Sequence, residues 1–348
     1  MFVLRLLRNP MFMVSSLFTL GILFSSIGYY FIKNDVTPVV GLLYDENGEL
    51  LKHPYSPMDY PPFGTDHFGR PLLNLILIGS KYTLGIAFVV AFLRLCMSAV
   101  IGVFLGMFVP KWKKWIASVV DASNYFPATL LGYFILVWVM IYSKRFGNVY
   151  TYSLLEHYAL FVTVFTLIAI PTISVLVMNE TDRIMKKEFI EGVKVLGAGK
   201  RQIIRKHLMP YLVPQFCMIF LRELVQVLLL LAHLGLLMIF VGGYAYQKDM
   251  YNVTREFSIS NEWSGLLGLW WEFIWAGSPW ITAVPVLFFT VTILSVKMAL
   301  IGFEKEYNNA EFMPRVKRKP LERTNKIPTK ADFQSDSVDF NKKHSVNE

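Results

Sequence analysis

The chain has 348 residues, of which 54% are hydrophobic and 17% charged, with a mean hydropathy of +0.45. Soluble domains run at about 45–50% apolar and about 25% charged, so a soluble globular protein is excluded and an all-α polytopic membrane protein is indicated. The formal charge of +9 is no signature of nucleic acid in such a chain, because the placement of Lys and Arg between spans sets orientation.

Apolar runs of about 20 residues match the hydrocarbon core of a bilayer, and six can be read. The first, Met11 to Ile32, follows a short basic end with Arg5 and Arg8. Its length exceeds a signal-peptide apolar region and no small-x-small cleavage site follows, so it reads as an uncleaved span. A polar segment over residues 33–80 comes next and contains Gly64, Thr65, Asp66, Gly69 and Arg70. Asp66 and Arg70 are spaced for a local ion pair, and Gly64 and Gly69 suit turns. Bracing of the mouth is favoured over contact with a second protein.

The second span covers about Tyr82 to Val109, and the third about Trp115 to Ile141, behind the basic KWKK of Lys111 to Lys114. The fourth runs from about Leu154 to Met178, the fifth from about Tyr211 to Val241 and the sixth from about Trp280 to Ile301. Cys96 and Cys217 both fall within spans and read as small hydrophobes. Placing the N-terminus inside puts KWKK, the Glu180–Met209 loop and the C-terminal tail in the cytoplasm with most of the Lys and Arg, as the positive-inside bias requires. The tail, residues 304–348, is polar and basic and is expected to be disordered beyond about Arg315. Its cluster of Arg315, Lys317, Arg318 and Lys319 suits anionic membrane lipid, though a solvated end is favoured.

The loop between spans four and five is the most informative stretch, EFIEGVKVLGAGKRQIIRKHLMPYLVP. Phe189, Val193 and Leu196 recur on one helical face, and Gly197 stands where a helix ends in the left-handed conformation. QIIRKHLMP then reads as a second short helix, with Pro210 and Pro214 marking the entry to span five. Gly192 costs roughly 1 kcal/mol within a helix relative to alanine, which suggests close approach by another group. Such a corner is either a docking site or two interfacial helices. Phe189 is either an apolar anchor for a partner or packs back on the parent span.

Three charges lie inside spans: Arg94 in the second, and Arg222 and Glu223 in the fifth. Each costs at least about 2.5–3.5 kcal/mol at the bilayer centre unless paired or hydrated. Arg94–Glu223 pairing is favoured over lining of a polar pathway. His233 and the aromatics of span five could face the same pathway, but a lone histidine reads more readily as a satisfied interior residue, and no metal site is expected. The apolar Gly242–Pro279 segment is expected to re-enter the membrane interface, where Trp prefers to sit.

The E-G-V-x3-G of Glu191 to Gly197, followed by the HLMP of His207 to Pro210, resembles the EAA loop of ATP-binding-cassette importer permeases. Glu191, Gly192 and Val193 stand for the E-A-A triplet, Gly197 for the loop glycine and Pro210 for the closing proline. FGTDHFGRPLLNLILIGSKYTLG resembles the GTD-x-x-GRD signature of the C-type permease of peptide importers through Gly64, Thr65, Asp66, Gly69, Arg70 and Gly79, with Pro71 and Lys81 departing from it. Asp121, Phe126 and Pro127 match the family's V-D…FP-x-LL element, and the EWSGLL of Glu262 to Leu267 resembles its EWG-x-ML.

The resemblance implies a six-helix permease whose domain comprises residues 81–303 after the first span (1–32) and the outer segment (33–80), with a coupling loop at about 180–209. It implies uptake of di- or oligopeptides, or nickel complexes in some members, across the plasma (inner) membrane of a prokaryote. It also implies a second homologous permease, two cytoplasmic ATPase subunits and an extracytoplasmic substrate-binding protein as partners. Phe189 with Glu191, Gly192, Val193, Gly197 and Pro210 would make the ATPase contact. The sequence has no G-x-x-x-x-G-K-[ST] motif, so the chain is not itself an enzyme and ATP and Mg belong to the partners. A self-contained secondary transporter or channel would require inverted repeats with broken helices, and no internal repeat is evident.

Overall fold

A computed structural model describes residues 2–45, 47–109, 111–145, 154–249 and 252–309. A short helix, α1 (Phe2–Arg8), leads into α2 (Pro10–Lys33). The side chain of Asn9 accepts the N–H groups of Met11 and Phe12 at 3.0 and 3.4 Å, and Pro10 occupies the first helical position, where its missing donor costs nothing. Then follow α3 (Leu72–Phe108), α4 (Lys113–Ser123), α5 (Ala128–Arg145), α6 (Leu154–Met185) and α7 (Glu188–Val195). The short α8 (Lys200–Gln202) passes through a π-helical turn (Ile203–Leu208) into α9 (Met209–Leu236). A hairpin of β1 (Tyr244–Lys248) and β2 (Thr254–Ser258), α10 (Trp263–Trp270), a 3-10 turn (Trp271–Ile274) and α11 (Pro279–Asn309) complete the order. The basic tail cluster, and the tail expected to be disordered, lie outside the described residues.

Among the described residues, five helices are long and apolar enough to cross a membrane: Pro10–Lys33, Leu72–Phe108, Leu155–Met185, the continuous run Lys200–Leu236, and Pro279–Asn309. Three expected boundaries differ. Span two starts ten residues early, at Leu72, because Leu72, Leu75 and Ile76 continue the apolar pattern and are fully buried. The expected third span is interrupted between Ser123 and Ala128, since the residue before Pro127 is pushed out of the helical region. The second helix of the cytoplasmic corner is not separate: Pro210 and Pro214 lie within one helical run that begins at Lys200. A π turn, in which hydrogen bonds reach one residue further back, sits directly before the first of them.

The core lies where α3, α6, α9, α10 and α11 meet, around Leu84, Phe161, Phe165, Leu228 and Trp263. α3 and α6 approach each other closely. A Cβ on Gly102 would fall 2.6 Å from both the Ser174 carbonyl and the Val177 side chain, and one on Gly106 would fall 2.8 Å from Thr181. Two glycines four residues apart form the small-residue stripe that lets membrane helices touch. α4 lines up beside the second half of α6, tied at one end by Lys113–Asp182 (2.5 Å) and at the other by Thr172 donating to Asn124 (2.8 Å).

Candidate functional site

Three places collect the residues singled out above. The first is the turn before α3. Gly64 and Gly69 have φ of +77° and +74°, which a side chain would strain. The buried Asp66 organises the turn. Its Oδ1 accepts the N–H groups of Phe68 (3.0 Å) and Arg70 (2.8 Å), and its Oδ2 accepts Arg70 Nε (2.9 Å). The expected Asp66–Arg70 pair is therefore formed. Tyr55 N–H donates to Thr65 Oγ1 at 2.9 Å, and Thr65 bridges to Pro71. The Arg70 guanidinium lies over the rings of Phe68 and Phe257, and His67 stacks on Phe273 at 5.1 Å. Burial pushes the His67 imidazole down to about 4, so the ring is neutral. All five named residues of the element are brought together, and Arg70 and the neighbouring His67 fasten the turn to β2 and to Phe273 after α10.

The 242–279 segment adds a second set of ties. Trp263 N–H donates to Thr83 Oγ1, and its indole Nε1 donates to the Ile76 carbonyl, both at 2.9 Å. α10 is buried against α9: a Cβ on Gly235 would fall 2.5 Å from the Ser264 carbonyl. Before it, Glu262 is buried and accepts the Gly242 N–H (3.0 Å) and the Ser258 hydroxyl (2.9 Å), with the Ser260 hydroxyl also bonded. Burial pushes this carboxyl up to about 7. The segment is thus a hairpin plus an inserted helix. Glu262 was legible only through the family element, and the signal for its local role was the serine pair preceding it in an apolar loop.

The second place is a cavity of about 870 Å³ bounded by α3, the α4–α5 break, α6 and α9. Arg94 on α3 pairs with Glu223 on α9 at 2.8 Å, and its Nε and Nη2 donate to the Phe165 carbonyl of α6 at 2.9 and 2.6 Å. One guanidinium thus ties three helices together, and the pair that offsets its burial also forms part of the cavity wall. His233 lines the same cavity and is exposed, contrary to the interior reading. Arg222 does not join it: its side chain is 54% exposed and pairs with Glu304 on α11 at 2.6 Å. Successive helical residues point about 100° apart, which separates Arg222 from Glu223.

The third place is α7. Its end is closed by a left-handed glycine: Gly197 has φ of +82°, its N–H donates to the Lys194 carbonyl (2.9 Å), and the Ala198 N–H reaches the Val193 carbonyl (3.2 Å). This pair of reversed bonds satisfies the last free carbonyls of the helix. Ile190 is the residue that α7 buries. Phe189 turns back and stacks on Tyr211 of α9 at 5.4 Å, with the Lys187 ammonium over the same ring. Packing back is thus the observed arrangement. Glu191 and Gly192 are exposed, and no atom approaches within 4 Å of a Cβ built on Gly192. Val195 and Leu196 are each 87% exposed. Pro210 sits on the surface of α9 beside Tyr211.

Residues 98–297, more than half of the chain, match the family described as "Binding-protein-dependent transport system inner membrane component". A Brucella suis protein named as a peptide transport system permease is 29% identical over 154 residues, covering 42% of this chain and 45% of that protein. The oligopeptide transport system permease protein OppC of Haemophilus influenzae is 26% identical over 151 residues, covering 43% of this chain and 44% of its own length. In each case the chain matches less than half of the relative's length.

Proposed function

The chain belongs to the family of binding-protein-dependent transport system inner membrane components, and on that premise we propose that it is a permease subunit of an ATP-driven peptide importer. The subunit contributes half of a translocation pathway, and a second homologous permease contributes the other half. Two cytoplasmic ATPases bind ATP and Mg, and an extracytoplasmic binding protein delivers the cargo. Both termini and α7 lie on the cytoplasmic side, where the Lys and Arg concentrate. The Asp66 turn and the β1–β2 hairpin lie on the other side. The names of the relatives support peptides as the cargo.

The observation that carries this reading is the bare end of α7. Val195 and Leu196 are exposed on a helix closed by Gly197, a preformed apolar knob that fits a groove on a partner. Phe189 stacks on α9, so it holds the knob to the membrane helix rather than entering the partner. Closure of the ATPases would then push α7, and the Phe189–Tyr211 contact would pass the push to the Lys200–Leu236 run. Glu191, Gly192 and Val193 form the rest of the docking face, and Pro210 marks its hinge to α9. Gentle purification of the chain from its native membranes, with identification of the subunits that come with it, tests the reading. Recovery of two ATPases and a second permease is expected, and recovery of this chain alone or as a homomer contradicts it.

A further inference from the structure

The Arg94–Glu223 pair is asymmetric in a way that ordinary charge pairing does not require. The guanidinium is the buried member, 4% exposed, and its hydrogen bonds go to Glu223 Oε2 and to the Phe165 carbonyl. The carboxylate is the outer member, 14% exposed, and only its Oε2 is used. Among the described residues Oε1 has no partner, while Glu223 stands in the wall of the 870 Å³ cavity. A visitor in that cavity therefore meets a carboxylate oxygen that is free, beside a guanidinium whose hydrogen bonds already go to Glu223 and Phe165. The rest of the wall is mostly apolar, with Gln226 and His233 further along α9, Ser123 and Asn124 at the α4–α5 break, and Thr129 and Thr172 contributed by α5 and α6. Its volume lies in the range of about 300–1,000 Å³ that holds small ligands, and a few polar groups in an apolar wall are what fixes a ligand's orientation.

We infer that Glu223 Oε1 is a recognition point for a primary ammonium group of the cargo, such as the free amino terminus of a peptide. The inference rests on the importer reading and adds a chemical preference within the pathway. An ammonium supplies donors and charge to the acceptor that Arg94 leaves free. An anionic end would meet the free carboxylate oxygen of Glu223 beside a guanidinium already bonded to Glu223 and Phe165. Arg94 is the positioning residue: its pairing at 2.8 Å holds the Glu223 carboxylate in the cavity wall.

The test is ATP-driven uptake of radiolabelled trialanine and of N-acetyltrialanine by the full complex in proteoliposomes, with its binding protein present throughout. The preference of the binding protein is common to every complex, so the change in the uptake ratio between variants isolates the cavity. Glu223→Gln should lower the ratio of free to acetylated peptide about tenfold, the worth of one charge-assisted hydrogen bond. Because that variant leaves Arg94 buried without a countercharge, Arg94→Met/Glu223→Gln is measured beside it and should lose the same preference. An unchanged ratio in the variants overturns the ammonium site while import stands. Failure of the wild-type complex to take up either peptide overturns the importer reading, and the ammonium site with it.

Discussion

The turn at Asp66 and the corner at Gly197 are alike in design and opposite in surroundings. Each is built on glycine with positive φ, and each carries a motif that resembles the permease family. Around Asp66 the polar groups are answered from within the molecule: two backbone N–H groups, a guanidinium and aromatic rings close over it. Around Gly197 the backbone is satisfied while the side chains are left bare, with Val195 and Leu196 both 87% exposed. The same kind of sequence signal therefore marks internal bracing in one place and an exposed apolar helix end in the other.

The largest way to break this contrast is Asp66→Ala, which leaves Arg70 and two N–H groups unanswered. It should destabilise the protein by about 3–5 kcal/mol, the cost of removing one partner of a buried pair, read by thermal unfolding in detergent. Gly242→Ala comes next. A methyl group there collides with Ser260 and Glu262, and overpacking costs about 1–3 kcal/mol. Gly197→Ala should cost about 1–2 kcal/mol, because its left-handed backbone disfavours a Cβ. Gly192→Ala should be neutral or should raise stability by up to about 1 kcal/mol, since the space is open and alanine favours a helix. If Gly192→Ala destabilised the isolated subunit as Gly242→Ala does, the corner would not be a free surface.

Acidity sharpens the same contrast within the braced region. Glu262, raised to about 7, binds more protons folded than unfolded. Its contribution is therefore fully present below its ordinary range and is lost as pH rises through about 7. His67, lowered to about 4, acts oppositely: its contribution is present above its ordinary range and is lost as pH falls toward 4. Melting curves across pH 4–8 should show Glu262→Gln unmasking stability that falls on acidification, and His67→Phe unmasking stability that falls on alkalinisation.

The membrane helices were readable because apolar runs of bilayer length leave few alternatives. The Arg94–Glu223 pair was readable because buried opposite charges seek each other. Gly197 was readable because a capped helix end has a local chemistry. What escaped depended on packing between distant segments or on competition between local rules. The break at 124–127 was hidden by the apolar residues around Pro127, although that proline is its cause. Pro210 and Pro214 suggested a helix start, yet the π turn before them lets one helix run from Lys200. Gly102 and Gly106 carried a readable spacing of four, but their meaning comes only from α6 lying against them. Phe189 satisfied both readings of its helical face until Tyr211 was placed beside it.

A photoreactive amino acid in place of Leu196, with a control at the equally bare Met58 on the other side of the molecule, tests the central claim most directly. Irradiation of membranes holding the assembled complex should join the Leu196 position to a nucleotide-binding subunit, with the Met58 position failing to do so. Adducts of the Leu196 position with lipid alone, in membranes where the complex is assembled, would contradict the assignment of α7 as the ATPase contact.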